Sequence, residues 1–481
     1  MHKFIFTNTV ILAAILISCG TTKTGIPPKT EEWGPFTQKR GVSYSFEQDK
    51  TPAEDMALLT QGEGIHWFYN WYIQPDAGAE KARKEHNVAF YPMVWNHWTN
   101  QRDFENYLSA YLADNPDVEY LLGYNEPNLK DQCNYTPREA AKYWPSLVKF
   151  AKKHNLKIIA PAMNYGTMEN YWVPWVWLDE FFGIDRIDEE SGKLVKNKGY
   201  PGVSLEDIYA MAVHSYMPDA GALKWFINMF EKYNKPIWLT EFCSWEFSQW
   251  NAPWQNAEYQ LMFMSEAITM LELHPNVEKY AWFIPKGSED ETVIPGNKLL
   301  TKTVKPDMIP PKLTTLGQVF VNMGTCDRTK WIPVGERIIA AHFTDMIFSD
   351  YMFKGAPYNE NEIAWPRKEQ GFTKNSGVHF RPGTDPDGSV IEMIDLSAMK
   401  WVEYQVETPE TKIYTLTLRN QAELPTVLSI TVNGNESGTV SLQQTEAWTS
   451  TTVPIQLDAG RNKIRFLVKE GDCGLNWLMV E

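Results

Sequence analysis

Eight short apolar runs recur along the first part of this chain, at 41–46, 66–73, 88–95, 120–124, 157–161, 210–215, 236–240 and 279–283. Runs of this length suit strands buried on both faces, as in parallel sheets. Amphipathic stretches separate several of them, at 103–115, 136–153, 220–233 and 254–274, and 313–323 supplies a last helix. The stretch at 136–153 opens Thr136-Pro-Arg-Glu139, a capping-box start with proline in the first turn. Strands alternating with helices over 39–325 predict an α/β fold, a (β/α)8 TIM barrel. A doubly wound open sheet alternates in the same way.

After about residue 325 the helical pattern stops. Short alternating runs follow at 400–406, 412–419, 427–432, 438–442, 451–457 and 462–468, divided by turn signals such as Val432-Asn-Gly-Asn435 and Asp458-Ala-Gly460. This spacing predicts an all-β antiparallel sandwich of jelly-roll type over 340–481, behind a linker at 326–339. A chain of 481 residues is too long for one ordinary core, so two domains fit its length.

The first residues read as a targeting segment. His2 and Lys3 precede an apolar stretch at 10–17 that is too short to span a bilayer. The following Ser18-Cys19-Gly20 resembles a bacterial lipobox, in which Cys19 becomes the lipidated first residue of the mature protein. Residues 1–19 are thus expected to be a lipoprotein signal peptide and 20–38 a polar tether. The implied location is a lipid anchor on the outer membrane or cell surface, or on the periplasmic face, of a Gram-negative bacterium. No later run reaches the ~18–20 apolar residues of a transmembrane helix. Cys133, Cys243, Cys326 and Cys473 lack metal-site or disulfide-scaffold spacing, and Cys243 reads as a small buried wall residue.

Composition narrows the partner. The chain carries 20 Trp, 22 Tyr and 23 Phe, and fifteen of the Trp precede residue 290. Aromatic faces stack on the C–H faces of sugar rings, although large cores also use Trp and about half of these should simply be buried. A net charge of −15 lacks the basic footprint of a nucleic-acid binder. It also weighs against strongly anionic polysaccharides, so a neutral polysaccharide fits better as substrate.

Two strings carry chemistry: Tyr120-Leu-Leu-Gly-Tyr-Asn-Glu-Pro-Asn128 and Pro236-Ile-Trp-Leu-Thr-Glu-Phe242. Each is an apolar run that breaks into polar residues at a glutamate, Glu126 or Glu241. In a barrel the strand ends converge on one face, where distant residues meet around one substrate. Two carboxylates flanking one bond are the minimum equipment for glycoside hydrolysis. Either glutamate alone would also pass for a solvated loop acid. Asn125 is placed to hydrogen-bond a sugar hydroxyl, and Pro127 fixes the turn that presents Glu126.

Residues 39–323 resemble glycoside hydrolase family 128, barrel enzymes that cleave β-1,3-glucans. The resemblance rests on Arg40-Gly-Val-Ser-Tyr44, His66-Trp-Phe-Tyr-Asn-Trp71, Phe90-Tyr-Pro-Met-Val-Trp95, Gly123-Tyr-Asn-Glu-Pro-Asn128 and Ile159-Ala-Pro-Ala162. It continues in Val213-His-Ser-Tyr216, Trp238-Leu-Thr-Glu-Phe242 and Tyr280-Ala-Trp-Phe283. It implies a retaining double displacement, with Glu126 as acid/base and Glu241 as nucleophile, their carboxyl groups ~5–5.5 Å apart. Trp282 would floor a subsite, Tyr216 would hydrogen-bond the nucleophile, and His214 would bind substrate or serve structure alone. Trp67, Trp71, Trp95 and Trp98 lie around strand ends, so about half of them should face the cleft. Tyr171-Trp-Val-Pro-Trp-Val-Trp177 reads as a loop wall or lid. Such hydrolysis needs no cofactor, and no metal-ligand spacing occurs.

Residues 340–481 resemble carbohydrate-binding module family 6 through Trp401-Val-Glu-Tyr404, Tyr414-Thr-Leu-Thr-Leu-Arg419, Leu457-Asp-Ala-Gly460 and Leu475-Asn-Trp-Leu478. The family's calcium-binding opening reads Ala340-Ala-His-Phe343 here, and Gly474 and Asn476 stand where the family carries Asn and Asp. A structural calcium is therefore left open, and Trp448 remains as the aromatic platform. The reading is an endo-β-1,3-glucanase. Its rivals are a non-catalytic surface glycan-binding lipoprotein and the same chemistry on mixed-linkage glucan or agarose.

Overall fold

The structure is a computed structural model of the chain; it describes residues 36–46, 50–97, 101–188, 190–217, 219–244, 257–287, 296–303, 309–347 and 378–481. Cys19, the tether to residue 35 and Trp98 lie outside the described residues.

Eight parallel strands make one sheet: Arg40–Ser43, Trp67–Tyr69, Ala89–Phe90, Tyr120–Leu122, Lys157–Ile159, Ile208–Ser215, Ile237–Phe242 and Val277–Phe283. The first strand pairs with both the second and the eighth. The two ends of the sheet, strands three and four, meet through a parallel bridge between Met93 and Leu122. Leu122 N donates to Pro92 O at 2.9 Å and Val94 N to Leu122 O at 3.0 Å, which closes the barrel. Closure decides between the two alternating folds left open by the sequence, since an open sheet would leave these edges unpaired.

Strand alternation then sorts the side chains. Trp67, Tyr69, Tyr91, Tyr120, Leu122, Ala212, Trp238 and Ala281 fill the barrel interior. Val42, Phe68, Leu121, Val213, Leu239, Tyr280 and Trp282 face outward into the layer beneath the helices. Helix Pro137–Lys153 starts on a complete capping box: Thr136 Oγ1 accepts from Glu139 N, and the Glu139 carboxylate accepts from Thr136 N at 2.9 Å. It buries Ala140, Trp144, Leu147, Val148 and Ala151. Residues 171–177 divide: Tyr171 and Trp172 belong to a loop, while Pro174 opens helix Pro174–Phe182, which buries Trp175 and Trp177. Of the stretch expected as a loop wall or lid, residues 171–173 lie in a loop, and 174–177 are corrected to the start of a helix, because proline at the first turn starts one there.

The C-terminal region forms two six-stranded sheets. Buried Tyr404, Val406, Leu416, Leu418, Leu428, Ile430, Ile464, Phe466 and Leu478 alternate along their strands, as a sandwich core requires. Strands Thr426–Val432 and Asn435–Leu442 join through Asn433 and Gly434, at φ 52° and 83°, a turn that this dipeptide is built to make. The expected linker at 326–339 is corrected: Ile332–Pro333 and Arg337–Ile339 pair into the two sheets, so the sandwich begins earlier than the hydrophobic pattern indicates.

Barrel and sandwich are packed together. His379 Nε2 meets Glu266 Oε1 of helix Ala257–Leu273 at 2.8 Å, with both side chains 4% exposed. His342 Nε2 lies 2.9 Å from Asn322 O, and Gly324 N donates to Ala341 O at 3.3 Å. Among the described residues no helix is long and apolar enough to cross a membrane.

Candidate active site

Strand four runs on as Gly123-Tyr-Asn125, held by Asn125 N to Trp95 O at 3.1 Å and an Asn125–Ala162 bridge. The chain then turns at Glu126, whose φ of 44° lies in the left-handed region. A non-glycine residue adopts that conformation only where its surroundings impose it. Here Glu126 N is tied to Ala162 O at 2.9 Å and Pro127 follows, so the carboxylate is aimed into the barrel mouth. Glu241 sits near the end of strand seven, in register with His214 of strand six.

The two glutamates meet around His214. Its Nδ1 lies 2.9 Å from Glu126 Oε1 and 3.3 Å from Glu241 Oε2. One atom from each of the three residues falls within 4.8 Å of the others. Both carboxylates only accept, so Nδ1 carries the hydrogen. Burial works against a charged imidazole, yet the adjoining Glu241 and Glu126 outweigh it and raise the His214 pKa. Its Nε2 is buried without a partner among the described residues.

Glu241 is surrounded by donors. Tyr69 Oη gives to Oε1 at 2.9 Å, Trp71 Nε1 to Oε1 at 2.6 Å, and Tyr216 Oη to Oε2. Burial pushes the Glu241 pKa up, and so does the charge of Glu126, while His214, Tyr216 and Trp71 pull it down. Tyr69 and Tyr216 are held well above the usual phenol range, by burial first and then by Glu241, so both stay donors. Trp71 itself has a φ of 60°, a second left-handed residue at the site. Glu126 Oε1 also accepts from Asn164 Nδ2 at 3.2 Å; its Oε2 makes no hydrogen bond among the described residues.

Glu126, His214 and Glu241 are also the only group of three His, Cys, Asp or Glu among the described residues with ligand atoms close enough for a cation. Those atoms are engaged with one another and with Tyr216, so a cation would have to displace these hydrogen bonds.

Other expected residues fall elsewhere. Trp67 is 1% exposed inside the barrel, against Tyr91 and Trp238, with Nε1 on Lys39 O at 2.9 Å; it supports the floor and does not line the cleft. Trp282 is fully buried on the outer face, packed on Phe242 and Phe263, with Nε1 on Asn297 O. The expected subsite floor is corrected by one residue. Phe283, at the end of the strand, remains partly exposed and packs on Trp71 and Tyr216 at 6.0 and 5.5 Å. Trp95 is half-buried at the rim. Asn125 is 3% exposed, giving Nδ2 to Gln132 Oε1 at 3.2 Å, with Oδ1 buried and without a partner among the described residues. In the sandwich, Trp448 is half-buried, its ring 3.3 Å from where a Cβ on Gly474 would stand. Cys243 is buried, as are Cys133 and Cys473; Cys326 is half-buried.

Sequence reasoning missed Tyr69, Asn164 and Phe283. Tyr69 was within reach, since Trp67, Tyr69 and Trp71 alternate along one strand toward the same face. Asn164 follows strand five with no local signal.

Residues 41–320 match the family described as glycosyl hydrolase catalytic core. Alkali-sensitive linkage protein 1 of Schizosaccharomyces pombe is 24% identical over 292 residues, which cover 59% of this chain and 44% of that protein. The chain therefore spans less than half the length of this relative. Among solved structures, a glycoside hydrolase family 128 (subgroup II) endo-beta-1,3-glucanase from Pseudomonas viridiflava is 33% identical, covering 59% of this chain and 97% of its own, with a TM-score of 0.46. Another of that subgroup, from Sorangium cellulosum, is 25% identical over the same shares, also with a TM-score of 0.46. With more than half of its residues matched by the family, and with strand-end motifs that resemble family 128, this chain belongs to the glycosyl hydrolase catalytic core family.

Proposed function

We propose that this protein is a retaining glycoside hydrolase that cuts β-1,3-glucan chains internally. The observation that carries the reading is the approach of Glu126 and Glu241, from strands four and seven, to within 4.8 Å at one end of a closed barrel. That distance is between one oxygen of each group, and it is compatible with the ~5–5.5 Å carboxyl separation at which one carboxylate attacks directly. The choice of β-1,3-glucan rests on the strand-end motifs and on the printed activities of the similar bacterial proteins.

The two acids have different surroundings, as a division of roles requires. Glu241 receives three donors and no acceptor, which favours its ionised form against burial. It attacks the anomeric carbon as the glycosidic bond breaks. Glu126 has Oε2 available for the proton that the departing oxygen takes, while Asn164 and His214 fix Oε1. In the second half, Glu126 removes a proton from water, which attacks the anomeric carbon and releases Glu241. His214 lies between the two acids, where a positive ring would ease the repulsion between them.

Glu126→Gln and Glu241→Gln should each lower turnover of laminarin by at least ~10²–10⁴-fold with the fold unchanged. Reducing-end release on laminarin, curdlan, lichenan and agarose, with circular dichroism as control, is the measurement. Unchanged turnover in either variant would remove that residue from the mechanism, and release from agarose alone would overturn the substrate.

A further inference from the structure

The loop after strand five carries an aromatic stack that the two-glutamate mechanism does not use. Tyr165 and Trp172 lie ring to ring at 6.1 Å and 20°. Behind them, Tyr165 packs on Phe226 and Trp175 at 5.5 and 6.1 Å, both buried. Trp172 remains 41% exposed, one of the few large aromatic residues among the described ones that the barrel leaves open to solvent. An indole backed by a second ring, itself seated on the core, is a rigid plane with one side available.

The loop that holds the stack is built onto the catalytic turn. Asn128, two residues after Glu126, gives Nδ2 to Asn164 O at 2.8 Å and to Tyr171 O at 3.1 Å, clamping both limbs. Its own carbonyl accepts from Thr167 N and Met168 N, and Gly166 N reaches Trp172 O at 2.8 Å. Gly166 is required here: a Cβ would stand 2.4 Å from Asn128 O. Asn164 donates to Glu126 Oε1 and accepts from Tyr165 N at 2.8 Å. A continuous set of hydrogen bonds thus runs from the Glu126 carboxylate to the stack.

We infer that Trp172, backed by Tyr165, is a sugar-stacking platform for the leaving-group side of the substrate, taking a pyranose unit beyond those at the cleavage point. This rests on the proposed roles above: the acid that protonates the departing oxygen lies on the leaving-group side, and the stack extends the site from that acid. Glu241 and its donors Tyr69, Trp71 and Tyr216 lie across the scissile bond. The rigid clamp matters energetically, because a plane already ordered loses little freedom when sugar docks on it. The platform therefore acts on chain length: long substrates reach it and short ones do not.

The test compares wild type, Trp172→Ala and Trp172→Phe on laminari-oligosaccharides of increasing length and on laminarin. Trp172→Ala should lose about tenfold in kcat/KM on the long chains, mostly through KM, with the shortest cleaved oligosaccharide unaffected. Trp172→Phe should recover most of the loss. Equal losses at every length, or none, would overturn the platform while leaving the glucanase reading in place. Isothermal titration of laminarin into Glu241→Gln, with and without Trp172→Ala, gives the same comparison without turnover. Absence of wild-type turnover on every β-1,3-glucan would instead overturn the reading beneath it, and the platform with it.

Discussion

At the scale of residues, the site turns on the opposing influences on one carboxylate buried in a barrel. Burial and the nearby Glu126 favour a neutral Glu241, and donors at the ends of strands two and six oppose them. Tyr216→Phe removes one donor from the charged form and nothing from the neutral one. The Glu241 pKa, already raised, then rises further. In the proposed mechanism the nucleophile acts in its ionised form, so the acid limb of the kcat/KM profile should move to higher pH. At neutral pH the rate should fall roughly 10- to 100-fold, the scale of a lost hydrogen bond to a charged group. A pH–rate profile checks this; an unmoved acid limb would mean that the hydroxyl does not set the nucleophile's charge. Glu126 and Glu241 were legible because a lone acid after an apolar run stands out. His214 and Tyr216 were legible as strand-end residues, but the position of His214 between both acids was not, since it depends on the pairing of strands six and seven.

At the scale of elements, alternation along a strand decides which aromatic residue serves the site. The eighth strand puts Tyr280 and Trp282 outward and Ala281 inward, and Phe283 at its end packs on Trp71 beside Glu241. Trp282→Ala should therefore act on stability, costing about 3–5 kcal/mol as a buried aromatic truncation, while KM in the folded fraction barely changes. Phe283→Ala should do the reverse, raising KM with a small change in melting temperature. Thermal melts beside steady-state kinetics separate the two, and a KM effect confined to Trp282→Ala would contradict the assigned faces. The eight strand positions and most helices were legible from apolar runs and caps such as Thr136–Glu139. The phase of a strand was not, because a run apolar on both sides carries no alternating signal. Trp67 was misplaced for a different reason: it stands inward but too deep to meet a ligand.

At the scale of the whole molecule, a closed barrel and a sandwich share an interface that the sequence did not announce. Its central pair, Glu266 and His379, is far apart in the chain, and nothing local marks either as buried. The two-domain division was legible because helical periodicity gives way to alternation. The barrel's early handover to the sandwich at Ile332 was not, because a two-residue strand leaves no pattern. What the whole fold delivers is two carboxylates brought within one bond's reach, and the central claim is that they act by double displacement. Proton NMR of laminarin hydrolysis, recorded before mutarotation, reads this directly. The account predicts that the first reducing ends released are β-anomers, the configuration of the bond cut. Initial release of the α-anomer would show inversion and contradict the assignment of Glu241 as nucleophile.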